Sequence, residues 1–228
     1  GMARSPHHGP NDFVDSWRRN SERLTRDGLY DPAEEHDGCG VGLVAAIDGK
    51  PRRELVLAAI DALKSVWHRG AVDADGKTGD GAGIHLQIPQ DFFKGHVERT
   101  GHQVQPRRLA VGMVFLPRTD FAAQERCREI VESEILRCGY YIYGWRQVPV
   151  DVSVIGEKAN ATRPEIEQIM IANTKGVSDS EFETELYIIR RCIENAALAA
   201  HITDLYICSL SCRSVIYKGM FLAEQLSA

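Results

Sequence analysis

Leu109 to Leu116 form a near-continuous apolar stretch, Leu-Ala-Val-Gly-Met-Val-Phe-Leu, that stops at Pro117. An apolar run of this length with no polar alternation predicts a central strand covered on both faces. Strands and helices interleave through the rest of the chain. The strands are short enough for two stacked sheets flanked by helices, an α+β architecture.

The covering elements are read from their periodicity. Cys39 to Ile47 is a small-residue apolar run ending at the turn pair Asp48-Gly49 and predicts a buried strand. Glu54 to Trp67 carries Leu55, Ala59, Ile60, Leu63 and Trp67 at helical spacing. Ile84 to Ile88 alternates up to Pro89, as does Val148 to Ile155, and both predict half-buried strands. A helix is expected over Ala122 to Arg137, with Gly139 to end it. Thr162-Arg163-Pro164-Glu165 has the form of a capping box with a first-turn proline and predicts a helix to Ala172. Ser180 with Glu183 opens a longer helix bearing Phe182, Leu186, Ile189, Ile193 and Ala197, and Asp204 to Met220 reads as a hairpin turning near Ser211 to Ser214.

Charge and cysteine usage narrow the function. Against 32 acidic residues stand 27 Lys and Arg, a formal charge of −5, and the basic residues form no stripe that could neutralise phosphates, so nucleic acid is not expected as a partner. No apolar run approaches the ~20 residues of a membrane helix, and no secretory signal precedes the chain, so a cytoplasmic protein is expected. The six cysteines lack the paired spacing of zinc sites, and Cys127, Cys192, Cys208 and Cys212 read as packing residues. The glycine loop Thr78 to Gly83 runs into a strand and lacks Gly-Lys-Ser/Thr, so it is not a phosphate loop. Asp73-Ala74-Asp75-Gly76 has the wrong offsets for a calcium loop, and no metal is implied.

Cys39 is the sharpest chemical candidate, a thiol between Gly38 and Gly40 at the start of an apolar run. Its company is Cys39-Gly40-Val41-Gly42, Trp67-His68-Arg69-Gly70-Ala71 and Thr78-Gly79-Asp80-Gly81-Ala82-Gly83. Further on come Gln87-Ile88-Pro89 with Phe92-Phe93, Gly112 to Pro117 and Val215 to Met220. In this order and spacing the segments resemble the glutamine amidotransferase domain of glutamate synthase large subunits, from about Leu29 to the C-terminus. The resemblance implies an N-terminal-nucleophile hydrolase with a four-layer α/β/β/α sandwich. It divides the chain into an extension or propeptide, residues 1–38, and the first part of an amidotransferase domain, residues 39–228.

A free thiol has a pKa near ~8.5 and needs a base, and an α-amino group, with a reference pKa of ~7.7 to 8.0, can serve at cellular pH. The resemblance supplies that amine by scission of Gly38-Cys39, which makes Cys39 residue one. The Cys39 thiolate then attacks the side-chain amide of glutamine, releases ammonia and leaves a γ-glutamyl thioester for water. Arg69 and Gly70 would order the site, with Thr78, Gly79, Asp80 and Gly81 lining it, while His68 keeps a structural role.

The resemblance puts the arginine that grips the glutamine carboxylate, the Asn-Gly oxyanion donors and the aspartate that receives the substrate amine beyond Ala228. Asn195, followed by alanine, is no substitute. The expectation is an incomplete sandwich, inactive alone, partnered by glutamine, by the remaining amidotransferase and synthase parts, and by further copies of itself. FMN and an iron–sulfur cluster are expected only in those other parts. The competing expectation is a non-catalytic binding or regulatory subunit with its N-terminus unprocessed.

Overall fold

The computed structural model describes residues 43–45, 48, 50, 52–64 and 81–219. Its elements, in chain order, are α1 (Arg53–Lys64), β1 (Ala82–Gln87), α2 (Gln90–Arg99), β2 (Ala110–Leu116), α3 (Phe121–Arg137), β3 (Tyr141–Gln147), α4 (Glu157–Thr162), β4 (Glu165–Ala172), α5 (Asp179–Ala199), β5 (Tyr206–Ser211) and β6 (Ser214–Gly219). β2, β3, β4 and β5 form an antiparallel sheet in the order β3-β4-β2-β5, and β1 pairs antiparallel with β6 in a second sheet.

The apolar run is the central strand that its composition predicts, with every residue of β2 but Phe115 buried. Successive side chains leave a strand on opposite faces, so its two faces feed two cores. Ala110, Val114 and Leu116 join Ile169 and Ile171 of β4 against Cys127, Val131 and Ile135 of α3 and Phe182, Leu186, Ile189 and Ile193 of α5. Val111 and Met113 face the other way, with Met170 of β4, Phe93 and Val97 of α2, and Val215 of β6. Gly112 sits on the helix-facing side, where a Cβ would meet Ile169 Cγ2 at 2.8 Å and Leu210 Cδ1 at 3.0 Å. Its bareness lets the neighbouring strands close over it.

Helix ends follow local chemistry. The Asp120 carboxylate accepts from the Ala123 N–H to open α3, and Gly139 takes φ +84° just past its end. α5 is opened by Ser178, whose hydroxyl accepts from the Glu181 N–H, two residues earlier than the Ser180-Glu183 reading. The predicted apolar stripe of α5 is buried at all five positions.

Four expectations are corrected. Glu165 to Ala172 is a strand, because a residue before proline is driven out of the helical region. Arg163 accordingly has ψ 141°, α4 ends before it, and the isoleucine-rich stretch continues extended between two cores. Val148 to Ile155 is irregular apart from a 3₁₀ turn at Val152–Val154. The edge strand β3 lies just upstream, where Gly144, at φ +141°, accommodates a register shift. Of the expected strand at Cys39 to Ile47, the described residues Leu43, Val44 and Ala45 are irregular and exposed, and the remainder lies outside the described residues. The predicted turn at Ser211 to Ser214 exists, but the strands it joins belong to different sheets. α2 has no counterpart in the sequence reading.

That sheet change is held by side chains. Register shifts at Cys208 on β5, whose thiol donates to the Ile216 carbonyl at 3.5 Å, while Ser209 Oγ accepts from the Ile216 N–H at 3.2 Å. Ser211 donates to the Glu183 carboxylate of α5 and accepts from the Arg213 and Ser214 N–H groups. Among the described residues, no helix is long and apolar enough to cross a membrane. Replacing Ile189, fully buried between α5 and the sheet, by alanine should cost about 2–5 kcal/mol, measured by urea unfolding.

Candidate functional site

Gly38, Cys39, Arg69, Gly70, Thr78, Gly79 and Asp80 lie outside the described residues. Of the site residues read from sequence, Gly81 is described. It immediately precedes β1 at φ +144°, a conformation that favours glycine, and a Cβ there would lie 3.5 Å from the Gly219 carbonyl oxygen. Gly83 is tightly enclosed, since a Cβ would lie 3.0 Å from both Lys218 Cβ and the Tyr217 carbonyl oxygen, and β6 would have to give by a few tenths of an ångström. The glycine loop therefore runs into a strand, as its sequence indicates, and its last residues let β6 approach closely.

β1 alternates half-buried and exposed residues, so Ala82, Ile84 and Leu86 face inward with their partners Gly219, Tyr217 and Val215. Opposite them stands the four-stranded sheet. Between the sheets runs a chain of polar side chains, one each from β3, β4 and β6. Arg146 Nη1 donates to Gln168 Oε1 at 2.9 Å, and Gln168 Nε2 donates to the Tyr217 hydroxyl at 3.1 Å. Gln168 is fully buried, and the Arg146 guanidinium lies 5.2 Å from the centre of the Phe92 ring. Burying an amide costs free energy unless both its ends are bonded, and here both are. The sequence signal was one glutamine inside Ile-Glu-Gln-Ile-Met-Ile, lost because the segment was read as a helix.

The described cysteines behave as packing groups. Cys127, Cys208 and Cys212 are buried, and among the described residues no three His, Cys, Asp or Glu side chains gather as metal ligands. Burial raises the thiols of Cys127, Cys208 and Cys212, and Glu183 adds to the effect at Cys212, pushing it up to about 12. Asn195 lies on α5, as the sequence reading has it, and lines a 460 Å³ depression with Ile193, Leu198, Ile202, Leu205 and Ile207. That depression belongs to the helix-bearing side of the four-stranded sheet, away from β1.

Residues 39–228 match the family of glutamine amidotransferases class-II, and the chain belongs to that family. Its relatives include glutamate synthases. Over 215 residues it is 66% identical to the glutamate synthase (NADPH) large chain of Azospirillum brasilense, a match that covers 94% of this chain and 14% of that protein. Ferredoxin-dependent glutamate synthase 1, chloroplastic/mitochondrial, of Arabidopsis thaliana is 39% identical over 87% of this chain and 12% of its own length. The glutamate synthase (NADPH) large chain of Bacillus subtilis strain 168 is 37% identical, over 88% and 13%. The chain thus spans a small part of the length of these relatives.

A raised thiol pKa leaves little thiolate at neutral pH, least at Cys212, where burial and Glu183 act together. Iodoacetamide at neutral pH should leave Cys127, Cys208 and Cys212 unmodified in the folded protein and label them only after denaturation, as read by peptide mass spectrometry.

Proposed function

We propose that this chain is the nucleophile-bearing portion of a glutamate synthase glutamine amidotransferase. The reading is carried by one observation, the start of the class-II match at Cys39, within a chain 66% identical to a glutamate synthase large chain over nearly its whole length. Cys39, freed by cleavage after Gly38, attacks the glutamine amide with its own α-amine as base, and water resolves the thioester to glutamate. Arg69, Gly70 and the Thr78 to Gly81 loop order the pocket. Ammonia passes to 2-oxoglutarate elsewhere in the synthase, where this reading also puts FMN and the iron–sulfur cluster.

The described layers support the sandwich that goes with this chemistry. α3 and α5, the four-stranded sheet and the β1-β6 pair supply helix, sheet and sheet in that order, and α1, which touches β1, is the element this reading takes into a fourth layer. This reading assigns the oxyanion donors and the arginine for the glutamine carboxylate to residues other than 39–228. Losing oxyanion donors alone costs ~10² to 10³ in rate.

Cys39→Ala in the complete glutamine-hydrolysing protein should lower turnover by at least about 10⁴-fold. Intact mass should show the parent protein beginning at Cys39 and the variant retaining the residues before position 39. Full turnover by the variant, or an active parent that retains Gly38, overturns the reading.

A further inference from the structure

Arg146 gives one of its hydrogen bonds to the buried amide of Gln168, and its guanidinium lies over the ring of Phe92 in the first turn of α2. Phe92, Gly95, His96 and Arg99 stand at i, i+3, i+4 and i+7, so they share one face of α2, while Phe93 and Val97 enter the core between the sheets. Gly95 leaves that face bare, and the Arg99 side chain folds back across it, with Nη1 3.4 Å from where a Cβ would stand. Two guanidinium groups and an imidazole thus gather around an exposed aromatic ring. His96 lies below the ordinary imidazole pKa, first because burial disfavours its charged form and then because Arg146 and Arg99 repel it. No carboxylate offsets them: among the described residues neither arginine pairs with Asp91 or Glu98 of the same helix, and Lys94 is turned to the Pro106 carbonyl. The remaining N–H donors of Arg146 find no acceptor among the described residues, and their planar fork matches the paired oxygens of a carboxylate or a phosphate.

We propose that Arg146, Arg99 and His96 form a binding site for a small oxyanion, a phosphate or carboxylate group, with Phe92 as its apolar wall and Gln168 as the positioning residue that holds Arg146 in it. The site stands whether or not the chain hydrolyses glutamine. Because binding and protonation are linked, the anion raises the pKa of His96, and affinity rises as pH falls through that pKa.

NMR titration of the His96 ring in the full chain tests it, the signal being assigned by its loss in His96→Gln. Sodium phosphate, sodium malonate and sodium chloride are compared at equal ionic strength, so that general screening is the same in each. A saturable rise in the His96 pKa with phosphate or malonate, and none with chloride, is expected, and the anion that gives it separates a phosphoryl from a carboxylate ligand. Arg99→Gln, a change at an exposed side chain, should weaken that anion's affinity about two- to fivefold. Arg146→Lys, which keeps the charge and loses the fork, should weaken it about tenfold. Arg99→Gln decides alone if Arg146→Lys does not fold. An identical response to all three salts overturns the proposal, as does a saturable response that Arg99→Gln retains in full.

Discussion

Because β2 hides both of its faces, it cannot be stabilised by one apolar layer, and each neighbour is recruited by the side of β2 it covers. Ala110, Val114 and Leu116 require the stripe of α5 and the inward side of α3, while Val111 and Met113 require a second layer of different origin. That second layer is assembled from distant pieces, α2 and β1 from before β2 and β6 from after it. At roughly 1.5–3 kcal/mol per fully buried aliphatic side chain, neither face could be left wet without forfeiting much of a typical domain's net stability.

The second sheet is anchored through β6, which follows β5 of the four-stranded sheet after a two-residue turn and pairs with β1, without a ladder to β5 among the described residues. Buried backbone groups must still be bonded. Cys208 and Ser209, turned toward β6 by the register shift, serve the carbonyl and N–H of Ile216, and Glu183 gathers the Ser211 hydroxyl and the Cys212 N–H beneath the turn. The raised thiol of Cys212 is a by-product of this role, because burial beside a carboxylate disfavours the thiolate. Two cysteines that could pass for half a metal site are thereby explained by strand geometry.

Where pattern and packing agree, the sequence was legible. β1 and β2 and the helices α3 and α5 were readable because alternation, continuous apolarity and helical stripes each have one structural interpretation, and because Gly139 marks the end of α3 by its φ, whereas the caps Asp120 and Ser178 were not read. β4 was misread because proline and glutamate satisfy a helix-start pattern while the same proline forces the preceding residue extended. β3 hid behind Gly144, which looks like a break and is a register shift, and α2, ten residues long with only Phe93 and Val97 buried, was passed over. Of the site, the order of motifs around Cys39 identified the family, which the match over residues 39–228 bears out. The contribution of Arg146, Gln168 and Tyr217 was not legible, because it exists only once three strands from two sheets face one another.

The two glycines at the start of β1 tie these levels together. Gly83 is tightly enclosed by Tyr217 and Lys218, so β6 can lie close along β1, and Tyr217 is held at a fixed register from the Ala82-Gly219 pair. Gly81 takes a φ that lets the chain turn into that pair. A bulkier residue at position 83 would push β6 outward and with it the phenol, loosening a hydrogen-bond chain whose Gln168 end is fixed in the four-stranded sheet. The glycine-rich segment is thus a packing device as well as a loop. Its glycines lie where β6 pairs with β1, and the buried amide of Gln168 donates to the Tyr217 hydroxyl on the inward face of β6.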